Sequence, residues 1–540
     1  MREWWRDAVI YQVYPRSYQD SDGDGIGDLR GITSRLDHIA ELGADAIWLS
    51  PIFTSPMEDM GYDVSNYTDI DPLFGTLADF DALIARAHDL GLKVIIDQVI
   101  SHSSDRHPWF DESRTSRDNP KADWYVWADP NPDGTPPNNW LSVFGGPGWE
   151  WEPRRQQYYM HNFLISQPDL NMHNPDVQDA VTGAMRFWLD RGVDGFRLDT
   201  VNYYFHDRDL RDNPPRQRKD NSPINQPFDF QDHVHSKNQP ENIAFLARLR
   251  ALTDEFDGRM MVGEVGDAGD TGIRLMAQYT AGDHMLHMCY SFEMLGPDFT
   301  AAHFRRVIQG VRDGAPDGHS CWSFSNHDVP RHVSRWAQHG TSRVALARQS
   351  VAMLMAFPGT IGIYQGEELG QTETVMTYDE LTDAQALRYW PEVKGRDGCR
   401  TPMVWDADQP NAGFSTGKPW LPVKPPQAEQ AVAQQGDDGV LAAYRDTIAF
   451  RRSQPCLRQG DIAFIDLPEP VLAFHRSLNG QTVTCLFNLS PAPVALTVAG
   501  TAVTAIGPGL GSVKGGQISL PGSGFLFLQS QDQPPEVAMA

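Results

Sequence analysis

Four carboxylates stand at the ends of short apolar runs: Asp97 in Lys93–Val99, Asp199 in Gly195–Thr200, Glu264 in Met260–Val265 and Asp328 closing Cys321–Asp328. The run Gly195-Phe196-Arg197-Leu198-Asp199-Thr200 says most about chemistry. Side chains alternate along a strand, so Arg197 and Asp199 share a face. A buried carboxylate must be hydrogen-bonded or neutralised. Arg197 meets that need and is expected to hold Asp199 ionised, with its pKa lowered. An ionised, oriented carboxylate is what a covalent catalyst requires. An isolated Arg-x-Asp is more often a structural ion pair than a catalytic one, and the other acids decide between the two readings. Glu264, flanked by Val262, Gly263 and Val265, has no cation beside it in sequence, which suits an acid kept protonated.

The elements that must position these acids alternate. Val9–Pro15, Ala46–Pro51, Lys93–Val99, Gly195–Thr200, Met260–Val265, Met285–Glu293, Cys321–Asp328 and Thr360–Gly366 read as strands, separated by amphipathic stretches such as Leu77–Leu90 and Val177–Asp190. Eight such units predict an α/β fold, a closed (β/α)₈ TIM barrel, whose polar residues at strand C-termini are catalytic. A Trp-, Pro- and Asn-rich excursion over 103–171 is too long for a barrel loop and predicts an inserted domain after strand 3. The barrel would then occupy 1–102 and 172–455. The polar stretch from Tyr203 to Pro240 is expected to cover the barrel mouth. Beyond it, 456–540 reads as a C-terminal antiparallel β-sandwich, with strands over Asp461–Asp466, Val471–Arg476 and Thr482–Asn488 and a disordered tail from Ser530.

Composition narrows the partners. With 45 Lys and Arg against 71 Asp and Glu, the net charge is −26, which disfavours nucleic acid and anionic lipid and leaves small neutral or cationic substrates. The 15 Trp and 16 Tyr could serve as platforms for sugar rings. No apolar run has the length of a membrane span, and the charged opening Met1–Asp7 lacks the apolar core of a signal peptide. The five cysteines are scattered, without metal-ligand spacing. A cytoplasmic location is expected, and oligomeric state is not legible.

One loop points to a metal. Asp20, Asp22, Asp24, Ile26 and Asp28 occupy alternate positions separated by Ser21 and glycines, the ligand type and spacing of a calcium loop. It is not an EF-hand, because Gly31 stands where the bidentate Glu belongs. A metal-free Asp/Gly turn is the other reading. The expectation is a structural Ca²⁺, with Mg²⁺ as the alternative, away from the chemistry.

These motifs together resemble the α-amylase family of retaining glycoside hydrolases, from Trp4 into the C-terminal domain. Asp97–His102, Gly195–Thr200, Gly263-Glu264-Val265 and Ser325-Asn-His327-Asp328 occur in the family's order, each on its proper strand. Gln167-Pro-Asp-Leu-Asn171, Asp59-Met-Gly-Tyr62-Asp63 and Gly395–Met403 resemble the oligo-1,6-glucosidase and α-glucosidase subgroup, where the metal loop also falls. The resemblance implies Asp199 as nucleophile, Glu264 as general acid/base and Asp328 as transition-state stabiliser. It implies that His102 and His327 donate to hydroxyls of the same glucose, that Asp59 and Arg400 pair around its non-reducing end, and that Tyr62 stacks on its face. Arg197 would steady the nucleophile. Closing that end implies an exo-acting enzyme on short substrates.

Linkage is suggested by the residue after the nucleophile. Within the subgroup Thr at this position goes with maltase-like enzymes, so Thr200 points to α-1,4 linkages; an α-1,6-specific oligo-1,6-glucosidase and a sucrose-active glucosyltransferase are the alternatives. Val329–Trp336 lacks the charged motif of the sucrose isomerases. Transfer of glucose to sugar or alcohol acceptors stays open, since any retaining intermediate can be intercepted by an alcohol. A non-catalytic sugar-binding scaffold would have no reason to keep all three acids and both histidines.

Overall fold

Eight short, almost wholly buried strands pair in parallel in the computed structural model, which describes residues 3–217, 226–531 and 533–540. They are β1 (Val9–Val13), β2 (Ala46–Leu49), β3 (Lys93–Gln98), β4 (Gly195–Leu198), β5 (Met260–Val265), β6 (Met288–Ser291), β7 (Cys321–Ser323) and β8 (Thr360–Tyr364). The neighbour order runs β6-β5-β4-β3-β2-β1-β8-β7, and a parallel bridge between Cys289 and Ser320 joins the two ends. The protein is a (β/α)₈ barrel. Each expected strand is present, shortened where polar residues leave the ladder for the mouth. Gly195 lets β4 approach β5: a Cβ there would lie 2.5 Å from the Met260 carbonyl oxygen.

The helix that delivers β4 shows how sequence fixes position. Asn174 caps the Pro175–Asp190 helix by accepting from the Asp176 amide, and Pro175 fills its first turn. Val177, Val181, Ala184, Met185 and Trp188 are buried at helical spacing. Trp188 stacks on Phe53 at 5.0 Å and donates from its indole to the Tyr67 carbonyl. The helix is thereby anchored on the barrel just before the catalytic strand.

Two regions decorate the barrel. After β3, strands Trp127–Ala128, Trp149–Glu152 and Gln157–Met160 form a small antiparallel sheet with Gln157–Met160 central, held by Phe110 stacked on Trp127 and Trp140 on Trp149. The C-terminal strands form antiparallel sheets of five and four strands. Among the described residues the expected disordered tail is not found; residue 532 of it lies outside those described. Ser530 lies in the strand Phe525–Gln531, paired with Thr482, and Glu536–Met539 pairs with Val494–Ala499. Alternation explains it: Leu526 and Leu528 pack between the sheets with Leu496 and Ile518, and Val537 joins them. All five cysteines are free and buried. Among the described residues no helix is long and apolar enough to cross a membrane.

Candidate active site

A buried arginine is the hub. Arg197, from β4, binds Asp97 of β3 at 2.7 Å, Asp199 at 2.6 Å and Glu264 of β5 at 2.6 Å. Its Nε and Nη2 also donate to the Tyr290 hydroxyl at 3.1 and 2.9 Å, and its guanidinium lies 5.1 Å from the Trp48 ring centroid. Three carboxylates from three adjacent strands thus share one planar cation, as the forked geometry of arginine allows. Although no cation stands beside Glu264 in sequence, adjacent strands bring Arg197 to it, a contact invisible along a single segment.

Thr200 turns the chain away from the ladder with φ +37°, a strained conformation for a β-branched residue and of the kind that gathers at functional sites. In that turn its amide donates to Glu264 at 3.0 Å and its hydroxyl to Asp199 at 3.2 Å. Tyr290, paired with Glu264 in register, donates to the other Glu264 oxygen at 3.3 Å.

Burial governs the titration. It pushes Asp199 up to about 7 against Arg197, and the negative neighbours Asp97 and Asp328 add to the rise. The lowered pKa expected for Asp199 is therefore corrected: one arginine shared by three acids does not overcome desolvation. Burial likewise lifts Glu264 to about 8, with Asp199 and Asp328 adding to the rise and Arg197 opposing it. Asp328 moves the other way: its burial is outweighed by His327, Arg400 and Arg396, which hold it well below the usual carboxylate range.

The donor end is built from ion pairs. Asp328 accepts from Arg400 at 3.0 Å and lies 3.5 Å from Arg396. Asp59 pairs with Arg396 at 2.9 Å and accepts from Gln167 at 3.1 Å. The expected Asp59–Arg400 pair is thus replaced: Arg396, four residues earlier in the same stretch, takes Asp59, while Arg400 turns to Asp328 and the His327 carbonyl. His327 stacks on Tyr62 at 5.3 Å, with 5° between the planes, and bonds to the Tyr62 hydroxyl. The Gln12 amide donates to His327 Nδ1 at 2.8 Å, leaving Nε2 as the proton carrier, 3.3 Å from Asp328. His102, held neutral by a burial that pulls it to about 4, lies with Nε2 3.0 Å from the Tyr62 carbonyl.

These groups open on a pocket of about 920 Å³, lined by Asp59, Tyr62, His102, Asp199, Glu264 and Asp328. Phe144 and Phe163 of the inserted region and Tyr203, Phe228 and Lys237 of the segment after β4 complete its wall. That segment reaches the mouth as expected; residues 218–225 of it lie outside those described. Arg396 and Gln167 lie within the quoted motifs but were given no role there, while Tyr290 and Lys237 are site residues outside every motif. The cross-strand partner of Glu264 could have revealed Tyr290; for Lys237 no local signal exists.

The Asp20–Asp28 loop is separate from these groups. One ligand oxygen from each of Asp20, Asp22 and Asp28 lies within 4.8 Å of the others, a donor set that fits a hard divalent cation. Asp24 and Ile26, the other expected ligands, lie on the same loop, where the Asp24 carboxylate accepts from the Ile26 amide at 2.8 Å.

The alpha-amylase catalytic-domain profile matches residues 12–460. With its barrel and its strand-end acids, the chain belongs to the alpha-amylase family of glycoside hydrolases. Within it, the relatives define the α-glucosidase and oligo-1,6-glucosidase subgroup. A probable alpha-glucosidase of Rhizobium meliloti (strain 1021) is 58% identical over 496 residues, covering 91% of this chain and 90% of that protein. An oligo-1,6-glucosidase of Heyndrickxia coagulans is 37% identical over 535 residues, covering 91% and 93%. Among solved structures, the alpha-glucosyl transfer enzyme XgtA matches with TM-score 0.95 and 51% identity, covering 98% of this chain and 100% of that one.

Proposed function

We propose that this glycoside hydrolase is a retaining, exo-acting α-glucosidase that releases α-glucose from the non-reducing end of short α-1,4-linked oligosaccharides such as maltose, and that also transfers glucosyl groups to alcohol acceptors. The observation that carries this reading is the one guanidinium shared by Asp199 and Glu264. Acids gathered this tightly favour the close spacing of a retaining pair, about 5–5.5 Å, over the about 6.5–9.5 Å that an inverting enzyme needs to admit water between them.

The division of labour follows from environment. Asp199, held by Arg197 and the Thr200 hydroxyl, attacks the anomeric carbon, while Glu264, whose proton is kept by burial, delivers it to the leaving oxygen. Asp328, held ionised by Arg400 and Arg396, clamps sugar hydroxyls with bonds that strengthen as the ring flattens. In the second half Glu264 takes a proton from water or an alcohol, whose oxygen displaces Asp199 from the anomeric carbon. The Asp59–Arg396 pair closes the donor end, which supports exo action. The Thr200 hydroxyl beside Asp199 and the Thr200 identity together support α-1,4 preference. Asp20, Asp22 and Asp28 would hold a structural Ca²⁺, which would neutralise the loop and take no part in the reaction.

The decisive test is initial rates on maltose, isomaltose and sucrose at matched concentration, with the released anomer followed by NMR. Maltose preferred and α-glucose appearing first is the expected result. Isomaltose preferred would transfer the assignment to α-1,6 linkages, and β-glucose appearing first would overturn retention.

A further inference from the structure

In the wall of the pocket, one lysine organises its neighbours. Lys237 is only 4% exposed, yet every donor of its ammonium has a partner: the Tyr203 hydroxyl at 3.1 Å, the Gly266 carbonyl at 3.0 Å and Asp267 Oδ2 at 3.0 Å. The same Asp267 oxygen accepts from Asn202 at 2.8 Å and Asn238 at 3.0 Å, and Asn202 in turn accepts from the Gly266 amide at 2.8 Å. Tyr203 and Gly266 both line the pocket. Asn202 stands three residues after Asp199, and Gly266 two residues after Glu264. The network therefore ties the strand-end loops carrying the two reacting carboxylates to the segment that walls the pocket.

We propose that Lys237 is a positioning residue that sets how the glucosyl-enzyme is divided between water and a hydroxyl-bearing acceptor, an inference that rests on the retaining, transferring reading above. Both routes have the same chemistry: Glu264 takes the acceptor's proton, the acceptor oxygen bonds to the anomeric carbon, and the bond to Asp199 breaks, returning its carboxylate. They differ in what orients the nucleophile. Water needs no wall, whereas a larger alcohol must be held against one, and a wall out of place by about 1 Å can cost up to about 10²-fold. Lys237 touches neither reacting atom; it acts through the Tyr203 ring and the Gly266 backbone. Its loss would leave both without their buried partner, and the wall would no longer be fixed.

The test supplies a nitrophenyl α-glucoside with a fixed excess of glycerol and counts glyceryl glucoside against free glucose. This product ratio comes only from active molecules, so partial misfolding of a variant does not move it. Lys237→Met is expected to lower the ratio about tenfold, within the range that misplacement allows, and Lys237→Arg to recover part of it by keeping the charge. Tyr203→Phe, which keeps the ring and removes one partner, is expected to lower it less. An unchanged ratio in Lys237→Met overturns the proposal. Wild-type protein that cleaves the donor with retention but makes no glucoside overturns the transfer reading, and the role of Lys237 falls with it.

Discussion

Two acidic clusters in this chain are neutralised by different means. At the barrel mouth, Asp97, Asp199, Glu264 and Asp328 meet arginines supplied by the chain, Arg197 at the centre and Arg396 and Arg400 at the donor end. In the loop, Asp20 accepts from the Asp22, Gly23 and Gly25 amides and the Ser415 hydroxyl, and Asp28 from Ser21 and Gly31. Backbone dipoles stand there where arginines stand in the barrel. A covalently attached cation fixes each carboxylate's position and basicity permanently, as catalysis requires. The proposed Ca²⁺ would make the order of the loop depend on an ion taken from solution.

The comparison is broken most severely at the nucleophile. Asp199→Asn should lower kcat about 10⁴-fold, the scale seen when one member of a catalytic unit is removed, while circular dichroism shows the barrel intact. A loss under tenfold would remove Asp199 from its role. Glu264→Gln comes next, at about 10²–10⁴-fold for general acid–base catalysis. Its signature is uneven: maltose, whose leaving hydroxyl needs a proton, should suffer more than a nitrophenyl glucoside. Equal losses on both would contradict the acid role.

The donor-end pairs give a smaller effect. Asp59→Asn leaves Arg396 without its carboxylate and is expected to raise KM by about 10- to 100-fold, corresponding to the ~1.5–3 kcal/mol of a charged hydrogen bond. The pH profile sharpens the same contrast. Asp199 works only ionised, so kcat/KM should rise through about 7; Glu264 works only protonated, so it should fall above about 8. The two limbs belong to the coupled pair. A rate still flat well above 8 would exclude Glu264 as the acid.

Which parts were legible in sequence follows from range. The strands were readable because each is a continuous apolar run with its acid at the end, and the barrel followed from their alternation. The local Arg197–Asp199 pair was readable too, but long-range ion-pair partners were not. Asp59 and Arg396 lie 337 residues apart, and whether Arg396 or Arg400 meets Asp59 depends on how a four-residue helix, Asp397–Arg400, turns. The pKa of Asp199 was misjudged because sequence shows its arginine two residues away but neither the full burial of the carboxylate nor Asp97 of β3 sharing that arginine. The final strand, Glu536–Met539, was hidden by the Gln- and Pro-rich stretch before it; its register is set by Val494–Ala499 rather than by its own composition.

The smallest expected effect lies in the loop. Three carboxylate oxygens within 4.8 Å repel one another, and Asp24, raised first by burial, is raised further by Asp22, Asp20 and Asp28. A bound divalent cation turns that repulsion into ligation. An ion at 100 times its Kd would add about 2.7 kcal/mol, equivalent to several degrees of Tm in a large domain at about 2–4 °C per kcal/mol. Treatment with EDTA should therefore lower Tm by a few degrees, restored by Ca²⁺ in excess, with kcat on a nitrophenyl glucoside unchanged at a temperature well below unfolding. Asp28→Asn should abolish the Ca²⁺ response of Tm. If EDTA moves kcat but not Tm, the ion serves the reaction, and the separation between the two acidic clusters is lost.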